Sequence, residues 1–526
     1  MFVITQTCCS DAACVSVCPV NCIHPTPEER GFGSSDILHI DPQACIDCGA
    51  CADACPVDAI YPADKLGTRD KVFIEINASY YRDNADVTSG WTPITYPVIP
   101  KLPAGLRVAL VGTGPSGGYA LRTLLDRSSA QVTVIDKLPT PGGLVRAGVA
   151  PDHPGTKKVL QGFDLLYRDP RVTMATNVEI GDDVAAGQIT PAELSEHFDG
   201  VIYAVGASDS RRLGIPGEDL PGSTSATDLV AWYNSAPDLD ELPIDATDRS
   251  GRVVVIGTGN VALDVARILV SPPEILATTD IADRALAVLR EQNVREVIVV
   301  GRRDQAGAAY SAAEYRALSS IPGVEVIVHD DPETDVDLEN AADPDRRRIV
   351  FLFHTTPESI LGDEHVERLR VRTGERTHEI AADLVVRSIG YRSTPIAGLP
   401  FDEGRGVFPN VDGRMVGDDG AVVPNAYVAG WARRGPRGGI GANKVCAEST
   451  VELFLNDVAA GAVSRSRHSP SDFETLLRKR KRTVIGYRGV RAIDRAERRA
   501  GAELERPRVK FTTVGDMVRA AGRRAR

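Results

Sequence analysis

Four apolar residues in a row, Val108-Ala109-Leu110-Val111, end at glycine and give way to a pattern of helical spacing; Gln131 to Asp136 then reads as a second buried strand. A short continuous apolar run bounded by glycines suits a strand covered on both faces. The order strand, helix, strand is the repeating unit of a parallel, doubly wound sheet. The pattern starts again at Arg252-Val253-Val254-Val255-Ile256-Gly257, and its next strand is Glu296 to Val300. Further strands are expected at Ala382 to Ser388 and Ala426 to Ala429; after the second come a glycine-rich stretch, Gly435 to Gly441, and a helical pattern to about Asn456. The periodicity thus predicts two doubly wound α/β units in one chain.

The flanks differ in texture. Residues 1–66 contain an internal repeat: Cys14-x3-Cys18-Pro19-Val20 is echoed by Cys51-x3-Cys55-Pro56-Val57, and Asn21-Cys22-Ile23 by Asp58-Ala59-Ile60. A segment with Pro93, Pro97, Pro100 and Pro103 follows and reads as an extended linker. With 526 residues the chain has room for about three domains. Apolar (43%) and charged (25%) fractions are those of an ordinary globular protein. No apolar run reaches the length of about 18 residues that a membrane span needs, and Met1-Phe2-Val3-Ile4-Thr5-Gln6 has neither the basic segment nor the apolar core of a secretory signal, so a cytoplasmic location is expected. The net charge of −12 is unevenly spread: Arg465 to Arg526 holds 19 Lys/Arg and 7 Asp/Glu, leaving an acidic body. That body argues against nucleic acid as a partner. The basic tail is expected to be solvated, to fold back on the body, or to meet an acidic partner.

Nine of the ten cysteines lie in the first 55 residues, which in an intracellular chain points to metal rather than disulfides. Cys45-x2-Cys48-x2-Cys51-x3-Cys55-Pro56 is the run that wraps a cubic iron–sulfur cluster with its first three thiolates, the fourth serving a second cluster. Zinc more often takes two separated cysteine pairs. The first half keeps the spacing but changes a ligand: Cys8-x2-Asp11-x2-Cys14-x3-Cys18-Pro19. One site is therefore assigned Cys45, Cys48, Cys51 and Cys18, and the other Cys8, Cys14 and Cys55 with Asp11 as a candidate fourth ligand. Three thiolates permit a three-iron cluster; a carboxylate can instead hold a labile fourth iron. The three-iron form is favoured as isolated, because carboxylate is the harder and weaker iron ligand. Cys9 is an alternative to Cys8, though the spacing favours Cys8; Cys9, Cys22 and Cys446 are otherwise read as packed thiols.

Each α/β unit opens on a glycine turn. In the first, Gly112-x-Gly114-x-x-Gly117 follows a strand and begins a helix, so the backbone can approach a pyrophosphate at the helix N-terminus; Asp136 ends the next strand, where an acid binds a ribose hydroxyl. In the second, Gly257-x-Gly259-x-x-Ala262 repeats the turn, but the next strand ends in Val300-Gly301-Arg302-Arg303. Two guanidiniums in place of an acid suit the 2′-phosphate of NADP. FAD in the first unit and NADP(H) in the second is the economical reading.

Leu138 to Lys157, Val253 to Leu269 and Gly430 to Lys444 are the stretches on which residues 107–456 resemble the adrenodoxin-reductase-like ferredoxin–NADP reductases. Residues 1–66 resemble bacterial two-cluster ferredoxins, and the whole chain resembles the fusion of the two. The resemblance implies that Ser116, Asp136, Leu144 and Ile180 touch FAD, and that Trp431 with Gly438, Gly439 and Ile440 lies against the flavin. It implies NADP contacts for Thr258, Gly259, Asn260, Val261, Arg302, Arg303, Glu314 and Gly438, and a place near the flavin for His153. His153 and Glu314 are carried as the catalytic candidates; a satisfied structural histidine and a helix-surface carboxylate are the plainer readings of these two.

The expected fold is α/β: two doubly wound nucleotide-binding domains, for FAD and NADP, one inserted in the other, and a small N-terminal α+β ferredoxin domain. The expected boundaries are 1–66 for the iron–sulfur domain, 67–100 for a linker long enough to let it swing, 101–210 with 380–460 for the FAD domain, 211–379 for the NADP domain, and 461–526 for the tail. The activity implied by the resemblance is hydride transfer between NADPH and FAD, then single-electron transfer to or from the fused ferredoxin and an external electron-transfer protein (a ferredoxin or a downstream redox enzyme). A flavin disulfide reductase fails on count, since it needs a redox cysteine pair and only Cys446 lies beyond residue 55.

Overall fold

A computed structural model describes the chain except residues 33–35, 69, 88, 92–100, 240–249, 334–342, 344–345 and 523–526 and the side chain of residue 313. Pro93, Pro97 and Pro100 of the expected linker lie outside the described residues.

The cysteine-rich unit is built from two short antiparallel pairs, Phe2–Ile4 with Ile60–Pro62 and Ile23–His24 with His39–Ile40. The stretch expected to be linker joins this unit instead. Helix Val72–Asp83 buries Phe73 and Asn77 against it. The Asn77 amide has all four of its positions filled: Oδ1 accepts from Ile4 N (3.2 Å) and Ile40 N (2.9 Å), and Nδ2 donates to Ile4 O (2.9 Å) and Phe73 O (2.8 Å). One side chain thus closes the exposed edges of both strand pairs, a fully satisfied buried polar group of the kind that fixes a single arrangement. Tyr81 adds bonds to Cys22 O (3.0 Å) and His39 O (2.7 Å). The linker reading missed this because it rested on the prolines further along; a lone asparagine does not announce its partners.

The first α/β unit has a seven-stranded sheet. Its parallel part runs Val422–Val428, Gly200–Tyr203, Arg107–Val111, Gln131–Asp136, Val172–Thr176, and Arg414–Val416 and Asn410–Val411 extend it antiparallel. Helices Pro115–Arg127 and Ile440–Ala459 pack together on one face. The second unit is a six-stranded parallel sheet in the order Ser223–Ser225, Leu384–Arg387, Arg252–Ile256, Glu296–Val300, Arg347–Leu352, Val324–His329. Strand Leu384–Arg387, which sequence assigned to the first unit, therefore belongs to the second, and the chain returns to the first sheet only after it. A strand whose leading residues, Leu384, Val385 and Val386, are apolar and buried carries no mark of its sheet; pairing alone decides.

The basic tail folds into helices Pro470–Arg480, Tyr487–Glu503 and Val514–Ala521, whose Phe473, Leu477, Val490, Ile493, Met517 and Ala521 join the core of the first unit. It also crosses to the second. Fully buried Glu497 accepts from Arg146 Nη2 (2.6 Å), Arg508 Nη1 (3.0 Å) and Phe511 N (3.1 Å). Lys510, 1% exposed, reaches Asp280 Oδ2 at 2.9 Å, and Lys157 holds Asp280 Oδ1 at 2.6 Å. Arg506 binds Thr279 O (2.9 Å), Ile281 O and Asp283. The tail is thus a bolt across the seam between the two nucleotide-type units.

Burial opposes ionisation of Asp280 and Glu497, but the surrounding cations outweigh it and hold both carboxyls below their ordinary values of 3.8 and 4.5. A depressed carboxylate contributes stability above its unfolded value and loses it as pH falls through the folded one, so the tail contacts should weaken only below about pH 4.5. Asp280→Asn leaves two buried ammonium groups without a carboxylate and should cost about 3–5 kcal/mol. A lowered urea midpoint, partly restored by adding Lys510→Met, is the expected result.

Candidate functional site

A cleft of about 1750 Å³ opens where the two sheets face each other. The backbone of Gly112 (φ 104°) passes so close to the neighbouring strand that a Cβ would lie 2.4 Å from Ala204 O; at Gly257 a Cβ would lie 2.1 Å from Ser388 O. Only glycine permits either approach. Each turn aims the N-terminus of its helix, Pro115–Arg127 or Asn260–Val270, into the cleft, and unpaired N–H groups there favour a pyrophosphate.

On the first side the walls include Gly112, Gly114, Ser116, Asp136, Leu144, Ile180, Trp431, Gly438, Gly439 and Ile440. Gly117 stands behind, where a Cβ would come within 2.0 Å of Gly112 O. Asp136 ties the turn together: Oδ2 accepts from Thr113 N (2.8 Å) and Thr113 Oγ1, and Oδ1 from Leu138 N (2.9 Å). Burial raises its pKa above the ordinary value against these donors. Ser116 Oγ donates to Asn443 Oδ1 (3.0 Å), and Trp431 Nε1 to Gly438 O (3.1 Å).

On the second side lie Gly257, Thr258, Gly259, Asn260, Val261, Arg302, Arg303 and Glu314. Arg302 and Arg303 are exposed at the strand end, and neither guanidinium is paired with a carboxylate among the described residues. Asn260 Oδ1 accepts from Ser311 N (2.7 Å). Glu314 sits in the first turn of helix Ala312–Leu318, its N–H bonded to Ser311 Oγ (3.0 Å).

His153 and Glu314 are brought together, Nε2 to Oε2 at 3.9 Å. Sequence reading missed the residue between them and the core: Arg267 reaches Asp152 (2.7 Å), Asp264 (2.7 Å) and Glu314 (3.3 Å). Burial pushes the Glu314 carboxyl up, opposed by His153 and Arg267. His153, Asp264 and Glu314 have ligating atoms within 4.8 Å of one another, but the guanidinium already supplies the positive charge they would ask of a cation. The i, i+3 spacing of Asp264 and Arg267 was the available signal.

Cys18, Cys45, Cys48 and Cys51 line one small cavity, with Phe2 and Gly49 at its wall. The thiols of the other set also converge, since Cys8 and Cys55 pack against the core cluster in which Cys14 is buried. Asp11 is buried; Oδ1 accepts from Ala13 N (3.2 Å), but Oδ2 has no partner. An orphaned buried carboxylate oxygen is costly, and beside three thiols it is the arrangement an iron ion would satisfy. Burial pushes the Cys8 thiol up to about 11 and Cys51 up to about 12, so these thiols need a metal to become thiolates. Both donor sets fit thiolate-held iron. Cys446 accepts from Gly430 N (3.2 Å) as a packed thiol.

The cysteine-rich unit is docked, where sequence suggested a swinging module. Gly441 N donates to Cys9 O (2.9 Å), Lys158 meets Asp58 at 2.7 Å, and Asp36 Oδ2 accepts from Ala312 N (2.8 Å). Cys8, Cys9 and Ser10 thereby form part of the cleft wall.

Comparison with known proteins gives the pyridine nucleotide-disulphide oxidoreductase description over residues 106–437 and the 4Fe-4S binding domain description over residues 38–61. A probable ferredoxin/ferredoxin–NADP reductase of Mycobacterium tuberculosis is 45% identical, covering 99% of this chain and 94% of its own. The NADPH-ferredoxin reductase FprA of the same organism is 42% identical over 78% of this chain and 98% of its own. The solved structure of that FprA in complex with NADPH matches with a TM-score of 0.72 and 39% identity, covering 79% of this chain and 99% of the other.

If Arg302 and Arg303 read a 2′-phosphate, replacing both with Ala removes charge-assisted bonds worth about 1.5–3 kcal/mol each. The NADPH dissociation constant should rise by roughly 100- to 10,000-fold while that of NADH barely moves; equal losses for both would remove the specificity argument.

Proposed function

Because this chain belongs to the pyridine nucleotide-disulphide oxidoreductase family, in its group of ferredoxin/ferredoxin–NADP reductases, we propose that it is an NADPH-dependent ferredoxin reductase that works through its own iron–sulfur unit. The observation that carries the reading is the Cys8–Ser10 loop in the wall of the cleft into which both glycine turns point. FAD held here would supply the conversion of a two-electron hydride into single electrons, and thiolate-held iron would supply one-electron carriers beside it.

The chain's own residues bind, orient and screen. Gly112, Gly114, Ser116 and the helix they open hold the FAD pyrophosphate, Gly117 letting the helix pack close; Asp136, fixed by Thr113, accepts from the adenosine ribose. Leu144, Ile180, Trp431, Gly438, Gly439 and Ile440 wall the flavin. Gly257 to Val261 hold the NADP pyrophosphate, and Arg302 and Arg303 its 2′-phosphate. His153 and Glu314, tied to Arg267, orient the nicotinamide end; no side-chain proton transfer is obligatory for a hydride step. Cys18, Cys45, Cys48 and Cys51 hold a four-iron cluster. Cys8, Cys14 and Cys55 hold a second, three-iron as isolated, with Asp11 able to take a fourth iron. The electron partner outside the chain is a ferredoxin or downstream redox enzyme, and the cytoplasm is its place of action. No helix among the described residues is long and apolar enough to cross a membrane.

The test is an anaerobic absorbance and EPR series before and after NADPH. Flavin absorbance should bleach and the iron signal change in the same sample. An iron signal that NADPH leaves untouched would overturn the reading.

A further inference from the structure

We propose that the two iron sites have fixed, non-interchangeable places in series: the Asp11-bearing site is the inlet facing the flavin, and the four-cysteine site is the outlet facing solvent. The proposal rests on the reading above that FAD and iron are bound; what it adds is the order.

The inlet loop is part of the flavin-side wall. Cys8, Cys9 and Ser10 line the cleft alongside Gly439, Ile440 and Asn443. Gly441 N donates to Cys9 O (2.9 Å), at the start of the helix that opens beside the flavin wall. A Cβ on Gly441 would lie 1.5 Å from Ser10 O and 2.7 Å from Asp11 N, so the loop rests directly on bare backbone. Buried Tyr119, on the helix of the first glycine turn, belongs to the core cluster against which Cys8, Cys9 and Cys55 pack.

The four-cysteine site looks the other way. None of Cys18, Cys45, Cys48 and Cys51 borders the cleft. Cys48 is exposed and Ile46 is 54% exposed beside it. The two sites share one packed core: Cys14 of one and Cys51 of the other are buried in the same cluster, with Cys8, Cys55, Cys18 and Cys45 packed against it. An electron entering beside Gly441 and leaving beside Cys48 crosses the unit by way of both sites.

The balance closes. Oxidation of one NADPH to NADP⁺ gives two electrons and one proton net. Two successive single-electron passages from inlet to outlet return the flavin to its oxidised form, and two molecules of an external one-electron carrier protein are reduced per NADPH.

Two measurements test the order. Gly441→Ala must push the Ser10 carbonyl away and lift the inlet loop. Freeze-quench EPR after mixing with NADPH should then show reduction of both iron sites slowed on the order of tenfold or more, since small displacements of a positioned group carry large rate costs. Flavin bleaching should keep its rate, and the oxidised EPR spectrum should stay intact. A four-cysteine site that still reduces at the unaltered rate overturns the series. The second measurement needs no variant. A soluble dysprosium chelate added to the unaltered holoprotein should speed spin relaxation of the four-cysteine site several-fold more than that of the Asp11-bearing site; equal or reversed enhancement overturns the placement. Failure of NADPH to reduce any iron in the unaltered protein would fell the functional reading and the order together, whereas iron reduced normally in Gly441→Ala fells the order alone.

Discussion

A missing Cβ governs the wiring of this molecule. At Gly441 the backbone of a long helix touches the backbone of the Cys9–Asp11 loop, with an N–H to carbonyl bond of 2.9 Å and no room for a methyl group. Two peptide chains from different folding units can approach this closely only where one has no side chain. The contact replaces a loose tether with a fixed spacing, and on the tether picture the iron-binding unit would have offered only a raised effective concentration. The glycine turns at Gly112 and Gly257 use the same device within their own units, each passing against the backbone of a neighbouring strand end at Ala204 or Ser388.

Much of this was legible in the chain because backbone constraint leaves a residue signature. Glycines at fixed offsets after an apolar run, an acid or two arginines at the next strand end, and cysteines in a repeated spacing all report local geometry, and the structure gathers them at one cleft and one small unit. What sequence did not yield was pairing at a distance. Leu384–Arg387 could have joined either sheet, and its hydrogen-bond partners lie more than a hundred residues upstream. Asn77 reads as an unremarkable polar residue until both strand pairs are placed around it. Arg267 was not singled out in the sequence, yet it gathers three carboxylates from three parts of the chain.

The tail is the clearest case. Its charge left three expectations open, solvent, a fold back on the body or an acidic partner, and the structure selects the second, with the chain's own carboxylates as the acidic counterpart. Asp280 and Glu497 together take four cations into buried positions, where a pair survives only if its geometry and remaining bonds are nearly complete. A positively charged sequence segment and a buried salt-bridge network are compatible, because composition counts charge without saying what it faces.

That network has a consequence for how the protein is made. Arg506 and Lys510 lie downstream of both nucleotide-binding regions and of every cysteine in the N-terminal unit. As the ribosome works from the first residue onward, the iron-binding unit and both sheets emerge before the segment that fastens them to each other. The seam between the two sheets therefore cannot be bolted until Arg506 and Lys510 have been made, well after every residue they fasten.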